Sequence, residues 1–171
     1  MDARTLLNHL VNHPDIRPTI APGNRYLDAG MFFVNPQSVF MGTEAGGIAF
    51  IHFGGGVFDG HFLFTRHVRG KLALLTTRAM ITDLFTNHGA VAIVGAVGDT
   101  LLHSRIMARA VGFVPYGHST DIYGRSCTDY ILERDKWTFL AESSAASGRQ
   151  LPDGSKPEPS TGHHSGLPTL H

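Results

Sequence analysis

Between residues 57 and 97 the spacing of apolar side chains changes twice, and this change constrains the fold more than any other feature. The segment VFDGHFLF (57–64) has the aromatic and aliphatic content of a β-strand. After Gly70 the apolar residues recur at helical spacing as far as Asn87, and AVAIVGAV (90–97) is typical of a strand covered on both faces. A strand, a long helix and a second strand predict a mixed α/β domain around one central sheet.

Shorter patterns upstream predict one helix and three further strands. Residues 2–13 have helical spacing after a candidate N-cap, Asp2, and Pro14 ends that helix. Apolar runs that predict three further strands follow at MFFV (31–34), SVFM (38–41) and GIAFIHF (47–53). The turn NPQ (35–37) predicts a hairpin between the first two, and GGG (54–56) predicts the turn before residue 57.

The downstream half predicts one more helix and the end of the domain. Asp99 or Thr100 is a candidate cap for a helix that stops at Gly112. One or two strands follow in STDIYG and CTDYILER. We therefore expect a domain over residues 1–147, whereas the Pro-, Gly- and Ser-rich residues 148–171 are expected to be disordered or to lie on the surface.

The composition narrows the functional class. The chain has 171 residues, and 14 Lys and Arg balance 14 Asp and Glu, so no excess charge points to nucleic acid. The single cysteine, Cys127, fits a reducing cytosol. No apolar run approaches the ~18 residues that span a bilayer, and the N-terminus does not resemble a signal peptide. The expected location is the cytoplasm, without a membrane partner.

A short basic turn, Arg66-His67-Val68-Arg69-Gly70-Lys71, joins the strand 57–64 to the following helix. The first N–H groups of a helix have no acceptor within it, and the helix dipole places partial positive charge there. Flanking cations and a glycine make this junction a candidate phosphate site. The alternative is a solvated basic loop. Neither a P-loop nor a GxGxxG fingerprint occurs in the chain.

This order of elements resembles the GNAT superfamily of acyl-CoA N-acyltransferases, whose members often carry V-x-P-x-x-R-G before [QR]-x-x-G-x-[GA]. Phe64 to Gly70 matches the first pattern in spacing, with Arg66 at the proline position. The segment AIVGAV…SRIMARAVGF is similar to the family's next strand, helix and Gly-Phe. NHPDIRPTI and FDGHFLF further resemble small acetyltransferase-like proteins of phages and prophages, which would place the protein in a host cytoplasm.

The resemblance implies an N-acetyltransferase fold with a mixed central sheet and helices on both faces, using acetyl-CoA and an amine acceptor. It implies that the backbone of Leu63, Phe64 and Thr65 lies along the cofactor. It also implies a pyrophosphate site formed by Arg66, Arg69, Gly70, Lys71, Leu72 and Ala73. The acceptor class (small molecule, protein or modified base) and a homodimer are left open.

The chain departs from the family at four positions. Leu72 and Leu74 stand where the family prefers small residues, and Leu101 and Ala108 stand where it often has Asn and the Tyr general acid. These departures favour an alternative, a catalytically degenerate GNAT fold that acts as a binding or regulatory module.

Asp59 and His61 are the candidate catalytic pair. They are two residues apart on one strand and so share a face, and a carboxylate beside an imidazole raises the pKa of the imidazole. The alternative is a turn aspartate beside an ordinary strand histidine. Tyr116, Tyr123 and His103 are candidate acids in place of the family's tyrosine, and the alternative is a thiolate that leaves without a dedicated acid. His9 and His13 have zinc-like i,i+4 spacing without an evident third ligand, so no metal site is predicted.

Overall fold

The apolar runs pair into one six-stranded sheet in the computed structural model, which describes residues 1–23 and 25–138. Strands β1 to β6 span Val39–Thr43, Gly46–Gly54, Val57–Phe64, Ala92–Gly98, Val114–Thr120 and Ser126–Glu133. Helices α1 to α4 span Ala3–Val11, Arg17–Ile20, Gly70–Asn87 and Leu102–Val111, and a 3-10 helix spans Ala29–Val34. None of the helices in the described ranges combines the length and apolar character needed to cross a membrane.

The strand order is β1-β2-β3-β4-β6-β5, and every neighbouring pair is antiparallel except β3 and β4. The β2–β3 hairpin turns through Gly54, Gly55 and Gly56, all of which have positive φ, a conformation that glycine adopts without strain. Helix α3 connects β3 to β4 and allows these two strands to run in the same direction.

Helices cover both faces of the sheet, so the predicted fold class is confirmed. On one face α3 and α4 enclose the larger core, whose fully buried members include Ile48, Phe50, Ile81, Leu84, Ile93, Val111, Tyr130 and Leu132. On the other face Leu7 and Leu10 of α1, with Ile16, pack against Ala49 of β2 and Leu63 of β3. Leu63 therefore lies on the α1 face, and so does His61, its neighbour two residues earlier on the same strand.

The predicted strand at 31–34, and with it the hairpin through NPQ, is wrong. These residues belong to the 3-10 helix Ala29–Val34, whose start is fixed by side chains that accept the N–H groups of Ala29 and Gly30. Asn8 Oδ1 accepts the N–H of Ala29 at 2.7 Å, and Asp28 Oδ1 accepts the N–H of Gly30 at 2.8 Å. Asn35 then donates to the carbonyl oxygen of His52 at 3.0 Å, which ties the segment to β2.

Three predictions in the second half of the chain need correction. Strand β4 is buried only at Ala92 and Ile93 and is exposed at Ala96, because β3 diverges from it. Neither Asp99 nor Thr100 caps α4, whose N-cap is Leu101. The Asp99 carboxylate instead accepts the hydroxyls of Ser126 and Thr128. The fifth strand begins at Val114, and residues 121–124 form the turn that follows it. The expected tail, 148–171, lies outside the described residues.

Leu84 and Leu75 provide a matched test of this packing, since both lie on α3 and are 0% and 52% exposed. Leu84→Ala is expected to lower the free energy of unfolding by about 2–5 kcal/mol, because it opens a cavity between α3 and the sheet. Leu75→Ala should change it by less than about 0.5 kcal/mol. Urea denaturation of both variants measures the difference, and similar losses would contradict this placement of α3.

Candidate functional site

A gap opens between β3 and β4 at the centre of the sheet. The two strands pair only at Val57–Ala92, Phe58–Ile93 and Asp59–Val94, although β3 continues to Phe64 and β4 to Gly98. In the described part of the chain no strand lies beside residues 60–64 on that side. Backbone N–H and C=O groups that would normally pair with a neighbouring strand are therefore available there to an extended ligand.

The gap leads to the start of helix α3, which has the properties of an anion site. The helix begins at Gly70, and within the described residues no side chain caps its first N–H groups and no acidic residue lies in its first turn. Gly70 has φ +59°, and a Cβ built there would meet no atom within 4 Å. Arg69 and Lys71 flank this open backbone and are both exposed. A phosphate can reach the amides and the cations together.

The residues just before the helix are already hydrogen-bonded within the protein. The N–H of Thr65 donates to the carbonyl of Ala45 at 3.2 Å, and its own carbonyl accepts from Val68 at 3.1 Å. Thr65 thus faces the β2 side of its strand. Because successive residues of a strand direct their backbone groups to alternate sides, Phe64 and Phe62 are directed toward the gap. Phe62 was not among the residues predicted from the sequence. The side to which its backbone groups point becomes clear only from the hydrogen bond between Thr65 and Ala45.

The two leucines at the family's small-residue positions have different surroundings. Leu74 is partly buried against the core between the sheet and α3, as is Ala108 of α4. Ala73 is buried, whereas Leu72 is exposed in the first turn of α3. Only Leu72 is therefore placed to crowd a ligand at the helix start.

Asp59 and His61 form a hydrogen-bonded pair next to the gap. His61 Nε2 lies 3.0 Å from Asp59 Oδ2, and the two side chains are 50% and 21% exposed. Asp59 is the last residue of β3 that pairs with β4, and a Cβ at Gly95 would lie 3.9 Å from Asp59 Oδ1. Position 95 of β4 therefore lies beside the Asp59 carboxylate at the point where the strands separate.

Two opposing effects act on the imidazole of His61. Desolvation lowers its pKa, but the hydrogen bond that His61 donates to Asp59 and the negative charge of that carboxylate together outweigh desolvation. The pKa of His61 is raised above 6.5 as a result. The carboxylate also fixes the imidazole orientation and leaves Nδ1 for other contacts, an arrangement that suits proton transfer.

The structure does not bring the candidate acids together with this pair. Tyr116 is an exposed residue of β5, which follows β4 and β6 in the sheet, so about 14 Å or more separates its backbone from β3. Tyr123 lies in the β5–β6 turn, where the Arg125 guanidinium is 5.4 Å from its ring centroid. His103 is exposed in the first turn of α4. Among the described residues, no group of three or more His, Cys, Asp or Glu side chains could hold a metal ion.

No protein-family model matches the chain, and no curated protein sequence matches it. Solved structures of acetyltransferases do share its fold. The structure of AAC(6')-Ib in complex with paromomycin and acetyl-CoA superposes with a TM-score of 0.63 at 16% identity, covering 81% of this chain and 93% of that one. A presumed acetyltransferase from T. thermophilus gives a TM-score of 0.60 at 17% identity, with 86% and 90% covered.

A spermidine N-acetyltransferase is a more partial match. A chimera of SpeG from Vibrio cholerae with hSSAT has a TM-score of 0.51 at 14% identity. The alignment covers 55% of this chain and only 62% of that protein. At such identities the likeness concerns the fold alone. The chain has the mixed α/β fold of the GNAT acetyltransferases.

Proposed function

We propose that the protein is an N-acetyltransferase that moves an acetyl group from acetyl-CoA to an amine. One observation carries the proposal: the gap between β3 and β4 leads to a basic helix start that no side chain of residues 1–23 and 25–138 caps. An extended ligand with a phosphate group at one end fits such an arrangement. The AAC(6')-Ib structures with acetyl-CoA and with coenzyme A support the choice, since they share the fold.

The residues present suit the diphosphate and the pantetheine arm of coenzyme A. The N–H groups of Gly70, Lys71, Leu72 and Ala73 would donate hydrogen bonds to the diphosphate oxygens, with Arg69 and Lys71 supplying full charges. Phe62 and Phe64 would offer backbone groups to the arm in the gap, and the thioester carbonyl would lie near Asp59. Thr65 and Leu63 shape this edge without directing their backbone groups into it.

His61 is the proposed general base. The amine nitrogen forms a bond to the acetyl carbon, the bond from that carbon to sulfur breaks, and the leaving thiolate carries away the electron pair. His61, in its neutral form, takes the proton that the amine nitrogen must lose. Asp59 orients the imidazole and stabilises its positive charge after transfer. The acceptor would approach from the α1 face, on which both side chains lie.

The alternative is a degenerate fold that binds a ligand without turnover. The exposed Leu72 side chain at the helix start is the observation that favours it, because the resembled motif has a small residue there. The intact Asp59–His61 contact favours an enzyme instead. Acetyl-CoA binding without turnover on any amine would support the binding module.

Arg69→Ala is expected to weaken acetyl-CoA binding about ten- to a hundredfold, since it removes a charge-assisted contact to phosphate. Isothermal titration calorimetry measures the change. Arg4→Ala on α1 removes the same charge from the opposite face of the sheet and should leave the affinity unchanged. Equal affinities for the parent and the Arg69 variant would remove this turn from the site.

Asp59→Asn is expected to lower the pKa of His61, because the raised value depends on the carboxylate. An NMR titration of the imidazole signals measures the pKa in both proteins without any substrate. Since the neutral imidazole is the active form, the low-pH limb of the rate profile should shift toward acid by the same amount. An unchanged pKa would show that Asp59 does not act on His61 in solution.

His61→Ala should lower turnover by about 10²–10⁴-fold, as expected for the loss of a general base. Acetyl-CoA affinity should stay nearly constant, because the phosphate site lies beyond the end of β3. His88→Ala is the matched control, since His88 lies 3.4 Å from Asp83 in a similar pair at the far end of α3. Full turnover by the His61 variant in a steady-state assay would refute this role.

A further inference from the structure

A single carboxylate links the N-terminal helices to the basic turn. Asp15 lies in the connection between α1 and α2, and its Oδ2 accepts the N–H of Arg66 at 2.9 Å across 51 residues of sequence. The Arg66 Nε is 3.8 Å from the same oxygen. The Asp15 side chain is only 18% exposed, whereas the Arg66 side chain is 70% exposed, so the carboxylate is the fixed, partly buried member of the pair.

Asp15 is itself held in place by its neighbour. The N–H of Asp15 donates to His13 Nδ1 at 3.2 Å, and the carboxylate lies 3.9 Å from that nitrogen. The hydrogen bond from Arg66 is the main cause that lowers the pKa of Asp15, so the carboxylate is ionised at neutral pH. A fixed, charged acceptor therefore faces the start of the turn.

The contact divides the backbone of the turn into two parts. The N–H groups of Thr65, Arg66 and Val68 all have acceptors inside the protein. The N–H groups at the start of α3, in contrast, have no capping side chain among the described residues. The bonded part fixes the path of the chain into the helix and so determines where the open amides point.

We propose that Asp15 is a positioning residue for the phosphate-binding turn, an inference that rests on the proposed function. It acts through Arg66: its carboxylate holds the Arg66 N–H and guanidinium on the side of the turn facing α1 and α2. The amides from Gly70 onward are then presented to the diphosphate already oriented. Asp15 does not touch the ligand, and its charge is balanced by Arg66.

The test compares ligands with and without a diphosphate. Asp15→Ala should weaken acetyl-CoA binding by about 3- to 30-fold, because the turn loses the charge-assisted hydrogen bond that orients its open amides. Asp15→Asn keeps an acceptor oxygen and should show a smaller loss. Binding of acetyl-pantetheine, which lacks the diphosphate, should not change. Calorimetry follows acetyl-CoA, and ligand-observed NMR follows the weaker acetyl-pantetheine.

Asp28→Ala is the matched control. Asp28 also accepts one backbone N–H, that of Gly30, and lies 4.0 Å from one arginine, Arg4, but it caps the 3-10 helix. The Asp28→Ala substitution should leave the affinities for acetyl-CoA and for acetyl-pantetheine unchanged. Arg66→Pro supplies the second arm, because proline has no N–H to donate. In that background Asp15→Ala should have little further effect on acetyl-CoA affinity.

Three results would overturn the inference while the parent binds acetyl-CoA. They are unchanged or tighter acetyl-CoA binding by Asp15→Ala, an equal loss of acetyl-pantetheine binding, or an undiminished Asp15→Ala effect in the Arg66→Pro background. A parent that does not bind acetyl-CoA at all would instead refute the proposed function, and the inference with it. Melting temperatures of all variants confirm that each binding measurement is made on folded protein.

Discussion

The parallel pairing between β3 and β4 lasts for three residues, and the proposed chemistry depends on where it stops. Up to Asp59 the two strands pair as in an ordinary parallel sheet, and Phe58 and Ile93 are buried in the larger core beneath them. Beyond it the strands separate, and the backbone of β3 gains an open edge in the middle of the molecule. The Asp59 carboxylate lies at this point and is hydrogen-bonded to His61. The end of the β3–β4 pairing therefore places the titratable pair beside the open edge.

The gap ends at the start of α3, where the first N–H groups of the helix are open to a ligand. Thr65, Arg66 and Val68 satisfy their N–H groups internally, whereas α3 starts at Gly70 without a capping side chain in the described structure. A buried helix start without partners would be costly, but this one is open and flanked by cations. The same turn thus combines a rigid entrance with exposed donors, and Asp15 connects that rigidity to the N-terminal helices.

Local patterns predicted much of this architecture, because periodicity reports directly which side of an element is buried. It identified β2, β3, α3 and α4 closely, and strand alternation placed Asp59 and His61 on one face. The strand-like composition of residues 31–34 misled, because these residues continue a 3-10 helix whose first N–H groups are held by Asn8 and Asp28. The end of the β3–β4 pairing and the Asp15–Arg66 contact are relations between distant segments, which spacing along one chain does not encode.

Hydrogen exchange of the backbone amides with and without acetyl-CoA tests the central claim most directly, since it needs neither an acceptor nor turnover. The account predicts new protection at two places, the gap-facing amides of Phe62 and Phe64 and the amides from Gly70 to Ala73. The amide of Thr65, already bonded to Ala45, should change little. Ligand-dependent protection confined to other parts of the chain, or no protection at saturating acetyl-CoA, would contradict it.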